Sequence, residues 1–356
     1  MIEHASRKAA SELREAESHR IQALDSTRIF AASAVVYAHA ADAPAMLGRL
    51  GVEYFFALSG YLITGILLRV RGTGSRDFAR PLGNFFARRC LRIWPAYYLL
   101  LAFLLWRNHE HIRASAIWHI LYSSNVLFWL KDRWDPWIAS HFWSLAVEEQ
   151  FYLIWPFLIY WTKRAVLKWL LPALAFASWG MAFALSTCFP GHYNVGFDVL
   201  MPFSLLSLAM GATLAVWRLE CPRALRGLKP LGYLCIVTLI ISIAIQGTAA
   251  LESFGTRPLT TICFVWFIAV LSTQTSGTLS RLLAARPLVY LGSVSYGVYL
   301  YHLLMLYYIV QSKHGPQLPL GLVTFIATWT ASVLLACLSW HLIEKPANAF
   351  KARFVF

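Results

Sequence analysis

An arginine and a histidine, Arg28 and His39, lie within one apolar stretch near the start of the chain. Their spacing is about three helical turns, so on a helix both side chains share one face, about 16 Å apart along the axis. A neutral imidazole can take a proton from a hydroxyl and return it at ordinary pH, which makes His39 a candidate general base. The alternatives are a hydrogen-bonded core histidine and, for Arg28, an ion pair with Asp25 one turn earlier. His302 and His341 also lie in apolar stretches, and we expect structural roles for both, or polar lining for His302.

Two adjacent carboxylates, Glu148 and Glu149, stand in the string WSLAVEEQFYLIWP at the start of another apolar stretch. If that stretch enters a membrane from the side on which His39 lies, one carboxylate can orient the imidazole and stabilise its protonated form. Neighbouring residues point about 100° apart on a helix, so at most one of the two can meet His39. The alternative is that acidic side chains are simply favoured at a helix N-terminus.

Three arginines, Arg88, Arg89 and Arg92, lie close together in the string NFFARRCLRIWPAYYLL. Spacings of three and four residues bring guanidiniums to one face of a helix, where they can clamp phosphate groups. The alternative is a basic segment that sets membrane topology or contacts anionic lipid.

Two small residues, Ser59 and Gly60, lie among large apolar ones in the string GVEYFFALSGYLITGILL. Small residues within such a stretch most often permit close helix packing. The second possibility is that both residues line a cavity for an elongated ligand.

Membrane helices are the elements that must position these residues. The 356 residues are 58% hydrophobic and only 13% charged, with a mean hydropathy of +0.56, whereas a soluble domain is about a quarter charged. This composition excludes an ordinary soluble protein and predicts an all-α integral membrane protein, a polytopic bundle of about ten transmembrane helices. An eleventh apolar stretch, 115–130, is shorter and interrupted by polar residues, and we interpret it as an interfacial or re-entrant segment. The ten predicted spans are 24–43, 51–69, 90–106, 146–162, 166–187, 199–217, 230–247, 258–274, 287–310 and 319–342.

The distribution of basic residues predicts the orientation of the bundle. The formal net charge is +14, and most Lys and Arg residues fall in segments that ten crossings place on the side of the N-terminus. The positive-inside rule then makes both termini cytoplasmic and explains the charge without nucleic acid. Residues 1–23 are predicted to form a cytoplasmic lead-in, 24–346 the membrane domain and 347–356 a short cytoplasmic tail. Six cysteines without a CxxC pair predict neither a metal site nor a disulfide framework.

Taken together, five strings resemble the acyltransferase 3 family of membrane O-acyltransferases, which includes O-antigen, Nod-factor and macrolide acyltransferases. By matching position, His39 looks like the family's essential histidine, Arg28 like its helix-one arginine, and Arg89 and Arg92 like its RxxR pair. Glu148 falls on the acidic position of the WSLxxE string. The five strings, in the family's order, are ALDSTRIFAASAVVYAHA, GVEYFFALSGYLI, FFARRCLRIWPAYY, FWSLAVEEQFYLIWP and LGSVSYGVYLYHLLML.

The resemblance implies a multi-pass protein of the bacterial inner membrane that takes an acyl group, commonly acetyl, from cytoplasmic acyl-CoA. The expected acceptor is a hydroxyl of a surface polysaccharide, a lipid-linked glycan or a glycosylated small molecule. Acyl-CoA is the donor, and no tightly bound cofactor is expected. Some relatives carry a further C-terminal hydrolase-like domain. Because the sequence ends soon after the last predicted span, we expect any function of that domain to be absent or supplied by a partner.

The depths assigned to these residues suggest a path for the donor. Arg88, Arg89 and Arg92 would hold the CoA phosphates at the cytoplasmic face, and the pantetheine arm would pass Arg28 towards His39. His39 would then deprotonate the acceptor hydroxyl, which attacks the thioester, while the carboxylate after WSLAV supports the imidazolium. A covalent acyl-histidine intermediate is an open alternative. Two roles stay open for Arg28, which would either polarise the thioester or guide the donor.

The main rival is a transporter or flippase for a lipid-linked sugar or an acyl-bearing metabolite, because intramembrane His, Arg and Glu also build substrate paths. No internal repeat supports that rival. Three tryptophans, Trp134, Trp137 and Trp143, are candidates for stacking on sugar rings. Tryptophan is also common at membrane interfaces, which is the slightly favoured explanation.

Overall fold

The computed structural model describes residues 22–41, 43–72, 79–189, 195–246, 255–273, 277–311 and 317–354. These residues form helices and connecting turns, with no β-strand among them, which confirms the all-α prediction. The predicted lead-in at 1–23 lies almost wholly outside the described residues. The longest helices are α1 (22–40), α2 (Ala45–Gly72), α3 (Ala79–Arg107), α4 (Phe142–Trp161), α5 (Arg164–Cys188), α6 (Leu205–Glu220), α7 (Ala224–Gln246), α8 (Arg257–Thr273), α9 (Arg286–Leu306) and α10 (Leu322–Ser339).

Each of the ten apolar stretches overlaps one of these helices. By length and apolar composition, four helical segments of the described chain qualify as membrane spans: α2, α5, α9 with its extension to Gln311, and α10 with its extension to Arg353. The outer surface carries large exposed apolar side chains, as lipid contact requires. Examples are Trp161, Trp169, Ile245, Val323 and Leu342, each at least 66% exposed.

Close helix crossings hold the centre of the bundle together. A Cβ atom on Gly60 of α2 would overlap the carbonyl oxygen of Leu208, and one on Gly211 of α6 would overlap that of Ala57. The two helices therefore touch backbone to backbone, which only glycine permits. Gly292 of α9 approaches the backbone of α1 in the same way.

Hydrogen bonds between side chains tie α1 to its neighbours. The Tyr54 hydroxyl of α2 donates to Thr27 Oγ1 at 2.6 Å, and the Trp329 indole of α10 donates to Ser33 Oγ at 2.8 Å. Because α1 is packed by α2, α9 and α10, its polar residues face the bundle interior rather than lipid.

The connection between α3 and α4 is a series of short helices. The stretch predicted to be interfacial or re-entrant forms two of them, Ala116–Ile120 and Ser124–Lys131, separated by a turn. Asn125 of the second helix is fully buried, and its side-chain amide bonds with that of Gln150 on α4. The segment therefore packs onto the bundle, and its position relative to the membrane stays a prediction.

Candidate functional site

Positively charged side chains gather in a cavity between α2, α3 and the C-terminal residues. We call it the basic cavity. No carboxylate is found among the described residues that line it. A pocket of this charge attracts polyanions. Its charged lining consists of Arg69, Arg88, Arg89, Arg92 and Lys351.

Arg88 has a structural contact as well as its place in the basic cavity. Its Nη1 donates hydrogen bonds of 3.1 Å to the carbonyl oxygens of Lys351 and Phe354. The predicted arginine cluster thus divides, because Arg88 anchors the C-terminal residues while Arg89 and Arg92 extend further inward.

A second cavity, the central cavity, adjoins the first and shares Arg89 and Arg92 with it. Arg28, Ser59 and Glu148 also line it. The structure therefore brings together five of the residues singled out in the sequence. Three guanidiniums face one carboxylate there, and this excess of positive charge favours an anionic ligand, since buried charges need partners.

Arg28 combines the two roles considered for it. Its Nε lies 3.5 Å from Asp25 Oδ1, so the expected ion pair exists. Its side chain is nevertheless only 15% exposed, and it lines the central cavity. The ion pair therefore orients the guanidinium towards the cavity instead of withdrawing it to solvent.

Ser59 and Gly60 turn out to have different roles. Gly60 faces α6 at the close crossing, whereas Ser59 lines the central cavity and donates a 2.6 Å hydrogen bond to Glu148 Oε1. Adjacent helical residues point in different directions, so one site can serve both packing and ligand. The expected cavity lining is therefore found for Ser59 but not for Gly60.

Glu148 lies with the arginines rather than at the histidine. It is six residues into α4, about 9 Å along the axis from the helix start, at the depth of Ser59 in the middle of α2. The neighbouring Glu149 accepts a hydrogen bond from the Trp94 indole at 3.3 Å. Neither carboxylate lines the cavity that holds His39 in the described chain. The expected pairing with the imidazole is thus replaced by pairing with Ser59.

His39 lines a third cavity, the histidine cavity, which shares Val52 and Tyr299 with the central cavity. Its Nδ1 lies 2.9 Å from the carbonyl oxygen of Val35. A carbonyl oxygen only accepts, so Nδ1 carries the hydrogen and Nε2 keeps its lone pair. This is the tautomer that a general base needs. The central and histidine cavities together follow the face of α1 that carries both Arg28 and His39, and the basic cavity adjoins the central one at Arg89 and Arg92.

Aromatic side chains form much of the wall around the histidine cavity. Trp134, Trp137 and Trp143 all line it, and the Trp134 and Trp143 ring centroids are 6.5 Å apart. Arg49 of α2 adds a positive charge to the same wall. An apolar cavity with a few polar groups is typical of a binding site for a small molecule or a sugar ring.

The model of the acyltransferase domain family Acyl_transf_3 matches residues 21–342. The chain belongs to this family. The match includes every candidate residue of the three cavities except Lys351. No solved structure matches the chain.

Curated relatives of this acyltransferase family extend well beyond the part that the chain matches. The chain is 32% identical over 93% of its length to the putative peptidoglycan O-acetyltransferase YrhL of Bacillus subtilis. It is 32% identical over 92% to the peptidoglycan O-acetyltransferase OatA of Listeria monocytogenes, and 29% identical over 92% to the O-acetyltransferase OatA of Staphylococcus aureus. It covers 55%, 55% and 58% of these proteins, respectively, so it spans little more than half of each.

Two histidines that the sequence pattern does not mark as catalytic lie beside His39. His302 of α9 has its ring centroid 5.1 Å from that of His39, and His141, directly before α4, lies 5.1 Å from His302. The sequence predicts a structural role or polar lining for His302, and it predicts no role for His141. The adjacency of His141 to the WSLxxE string was the one available signal, because it places the residue at the start of a helix that carries site residues.

Proposed function

We propose that this chain is a membrane O-acyltransferase that moves an acyl group, acetyl being the expected one, from cytoplasmic acyl-CoA to a hydroxyl of a sugar-containing acceptor. The observation that carries the proposal is the series of three cavities, with cations at one end and His39 with its free Nε2 at the other. Such a series suits a reaction in which a polyanionic donor and a neutral hydroxyl approach from opposite sides.

The donor's phosphates would bind in the basic cavity. Arginine clamps phosphate oxygens bidentately, and lysine adds a point charge. Arg89 and Arg92 stand at the entrance to the central cavity, where the pantetheine arm would leave the phosphates behind. The arm would then run along α1 past Arg28, with Ser59 as a hydrogen-bonding group on the opposite wall.

The transfer itself would take place between the central and histidine cavities. His39 Nε2 takes the proton of the acceptor hydroxyl as its oxygen attacks the thioester carbon. The C–S bond then breaks, and the proton passes to the departing thiolate. Arg28, which lines the central cavity, would polarise the thioester carbonyl. Glu148, which accepts the hydrogen bond of Ser59, would offset part of the charge of the arginines.

The acceptor would enter the histidine cavity. Two observations support a glycan: relatives carry names of peptidoglycan O-acetyltransferases, and tryptophans line the cavity beside His39. Tryptophan faces bind the apolar faces of sugar rings, so Trp137→Ala should raise the KM for the acceptor and leave that for acetyl-CoA unchanged.

For this route the protein would cross the inner membrane ten times with both termini in the cytoplasm. The overlap of ten apolar stretches with helices and the apolar outer surface support this topology. Accessibility reporters at residues 73–78 and within the connection between α3 and α4 should report opposite sides of the membrane. Reporters on the same side would exclude the route.

Two measurements test the proposed function. Purified protein in lipid nanodiscs should release free thiol from acetyl-CoA in the presence of soluble glycan fragments, whereas a transporter or flippase should release none. Mass spectra of surface glycans and secreted metabolites from wild-type and deletion cells should differ by one acyl group on the acceptor. The proposal would be refuted if no thiol were released and if wild-type and deletion cells carried the same acyl groups.

A further inference from the structure

Three imidazoles from three different elements meet at the histidine cavity. His39 comes from α1, His302 from α9 and His141 from the residues directly before α4. The ring centroids of His39 and His302 are 5.1 Å apart, as are those of His302 and His141. His39 and His141 both line the cavity, and the fully buried His302 lies between them behind its wall.

Each ring donates its single N–H group to a backbone carbonyl oxygen. His302 Nδ1 lies 2.6 Å from the Tyr299 carbonyl oxygen, and His141 Nε2 lies 3.0 Å from that of Leu300. His39 Nδ1 lies 2.9 Å from the carbonyl oxygen of Val35. Carbonyl oxygens only accept, so all three rings keep one nitrogen lone pair.

Two of these lone pairs have no donor. His302 Nε2 and His141 Nδ1 are buried and lack a hydrogen-bond partner in the described structure. A buried acceptor without a donor is disfavoured and calls for an explanation. A proton that arrives on one ring would provide the missing donor for a neighbouring ring.

The surroundings offer no other described partner for a proton on His39. The charged side chain that faces the cavity from α2 is Arg49, which opposes a second positive charge nearby. The Tyr299 hydroxyl of α9 is bonded to Ser144 on α4. Among the described residues no carboxylate lines this cavity. An imidazolium at His39 is therefore best stabilised by the neighbouring imidazoles.

We propose that His302 and His141 form a proton relay with His39. The inference rests on the proposed acyl transfer. The acceptor O–H bond breaks as the His39 Nε2–H bond forms, and the proton is then shared with His302 and, through it, with His141. At this ring separation the sharing runs through a bridging water or a small ring rotation. When the C–S bond breaks, the proton returns to the thiolate, which leaves as the free thiol. His302 and His141 are positioning residues, because they act through His39.

The test is a proton inventory, the dependence of the transfer rate on the deuterium fraction of the solvent. The protein is assayed in nanodiscs with acetyl-CoA and soluble peptidoglycan glycan fragments. A relay moves more than one proton, so the wild-type plot should be curved. His302→Asn keeps an N–H donor at the place of Nδ1, which bonds to the Tyr299 carbonyl, but does not titrate. Its plot should be linear, with kcat lower by on the order of 10- to 100-fold and an unchanged KM for acetyl-CoA.

His119→Asn is the matched control. His119 is also fully buried and bonded through both ring nitrogens, to Ser115 and Ser124. Burial lowers the pKa of His119 to about 4, so this ring is neutral at ordinary pH. Its variant should lose stability yet keep the curved plot.

The outcomes separate the relay from the proposed function. A linear wild-type plot would by itself overturn the relay. A curved plot with normal kcat in His302→Asn would also overturn it. If His302→Asn does not fold, His141→Gln takes its place, since its amide keeps a donor for the Leu300 carbonyl. His39 and His302 still share the proton in this variant, so its plot should be less curved than that of the wild type. An unchanged plot with normal kcat would overturn the relay. Absence of transfer by the wild type would instead count against the proposed function.

Discussion

Replacing Arg92 by glutamine separates donor binding from a structural role. Arg92 lies where the basic and central cavities meet, beside other guanidiniums. If it binds a phosphate of acyl-CoA, the variant loses one hydrogen bond to a charged group, about 1.5–3 kcal/mol. Since each 1.4 kcal/mol is a factor of ten, the KM for acetyl-CoA should rise roughly 10- to 150-fold, with a much smaller change in kcat. Removing one of several like charges should leave the melting temperature nearly unchanged.

Arg71→Gln is the matched control for this experiment. Arg71 Nη1 donates to the carbonyl oxygens of Ile159, at 2.8 Å, and Thr162 near the end of α4, and Arg71 is not among the described residues that line either cavity. Its variant should lower the melting temperature without raising the KM. Both quantities are measured on purified protein, by thiol release at varied acetyl-CoA and by thermal unfolding in detergent. An unchanged KM in folded Arg92→Gln, or an equal rise in both variants, would refute the assigned donor site.

Two further predictions concern the packing that positions the site. Gly60→Ala forces α2 away from α6 and should cost about 1–3 kcal/mol of stability, whereas Gly65→Ala on the same helix meets open space and should be neutral or stabilising in the same thermal assay. Glu53 and Arg257 form a buried 3.0 Å ion pair, so Glu53→Gln should cost about 3–5 kcal/mol, and adding Arg257→Gln should restore part of that loss. Equal melting temperatures for the two glycine variants, or simple additivity at the ion pair, would contradict these accounts.

Features that depend on helical periodicity were predictable from the sequence. Arg28 and His39 share one face of α1 because an eleven-residue spacing closes three turns on any straight helix. Arg89 and Arg92 lie together for the same reason. The all-α class followed from composition, because repeated apolar runs that are long enough to cross a bilayer form membrane helices.

Features that depend on how helices cross were not predictable. The offset between α2 and α4 decides that Glu148 meets Ser59 instead of His39. The approach of α9 to α1 likewise decides that His302 lies beside His39. No spacing within a single stretch encodes such distances, since they arise from packing between helices.

The most direct test of the whole account is acetyl transfer by His39→Ala. The variant is compared with the wild type in nanodiscs, with labelled acetyl-CoA and soluble glycan fragments as substrates and with acetyl-CoA binding and thermal unfolding measured in parallel. Because His39 carries the free Nε2 at the end of the cavity series, we expect normal folding and donor binding but no labelled glycan above background. Full transfer by a folded His39→Ala protein would contradict the central claim.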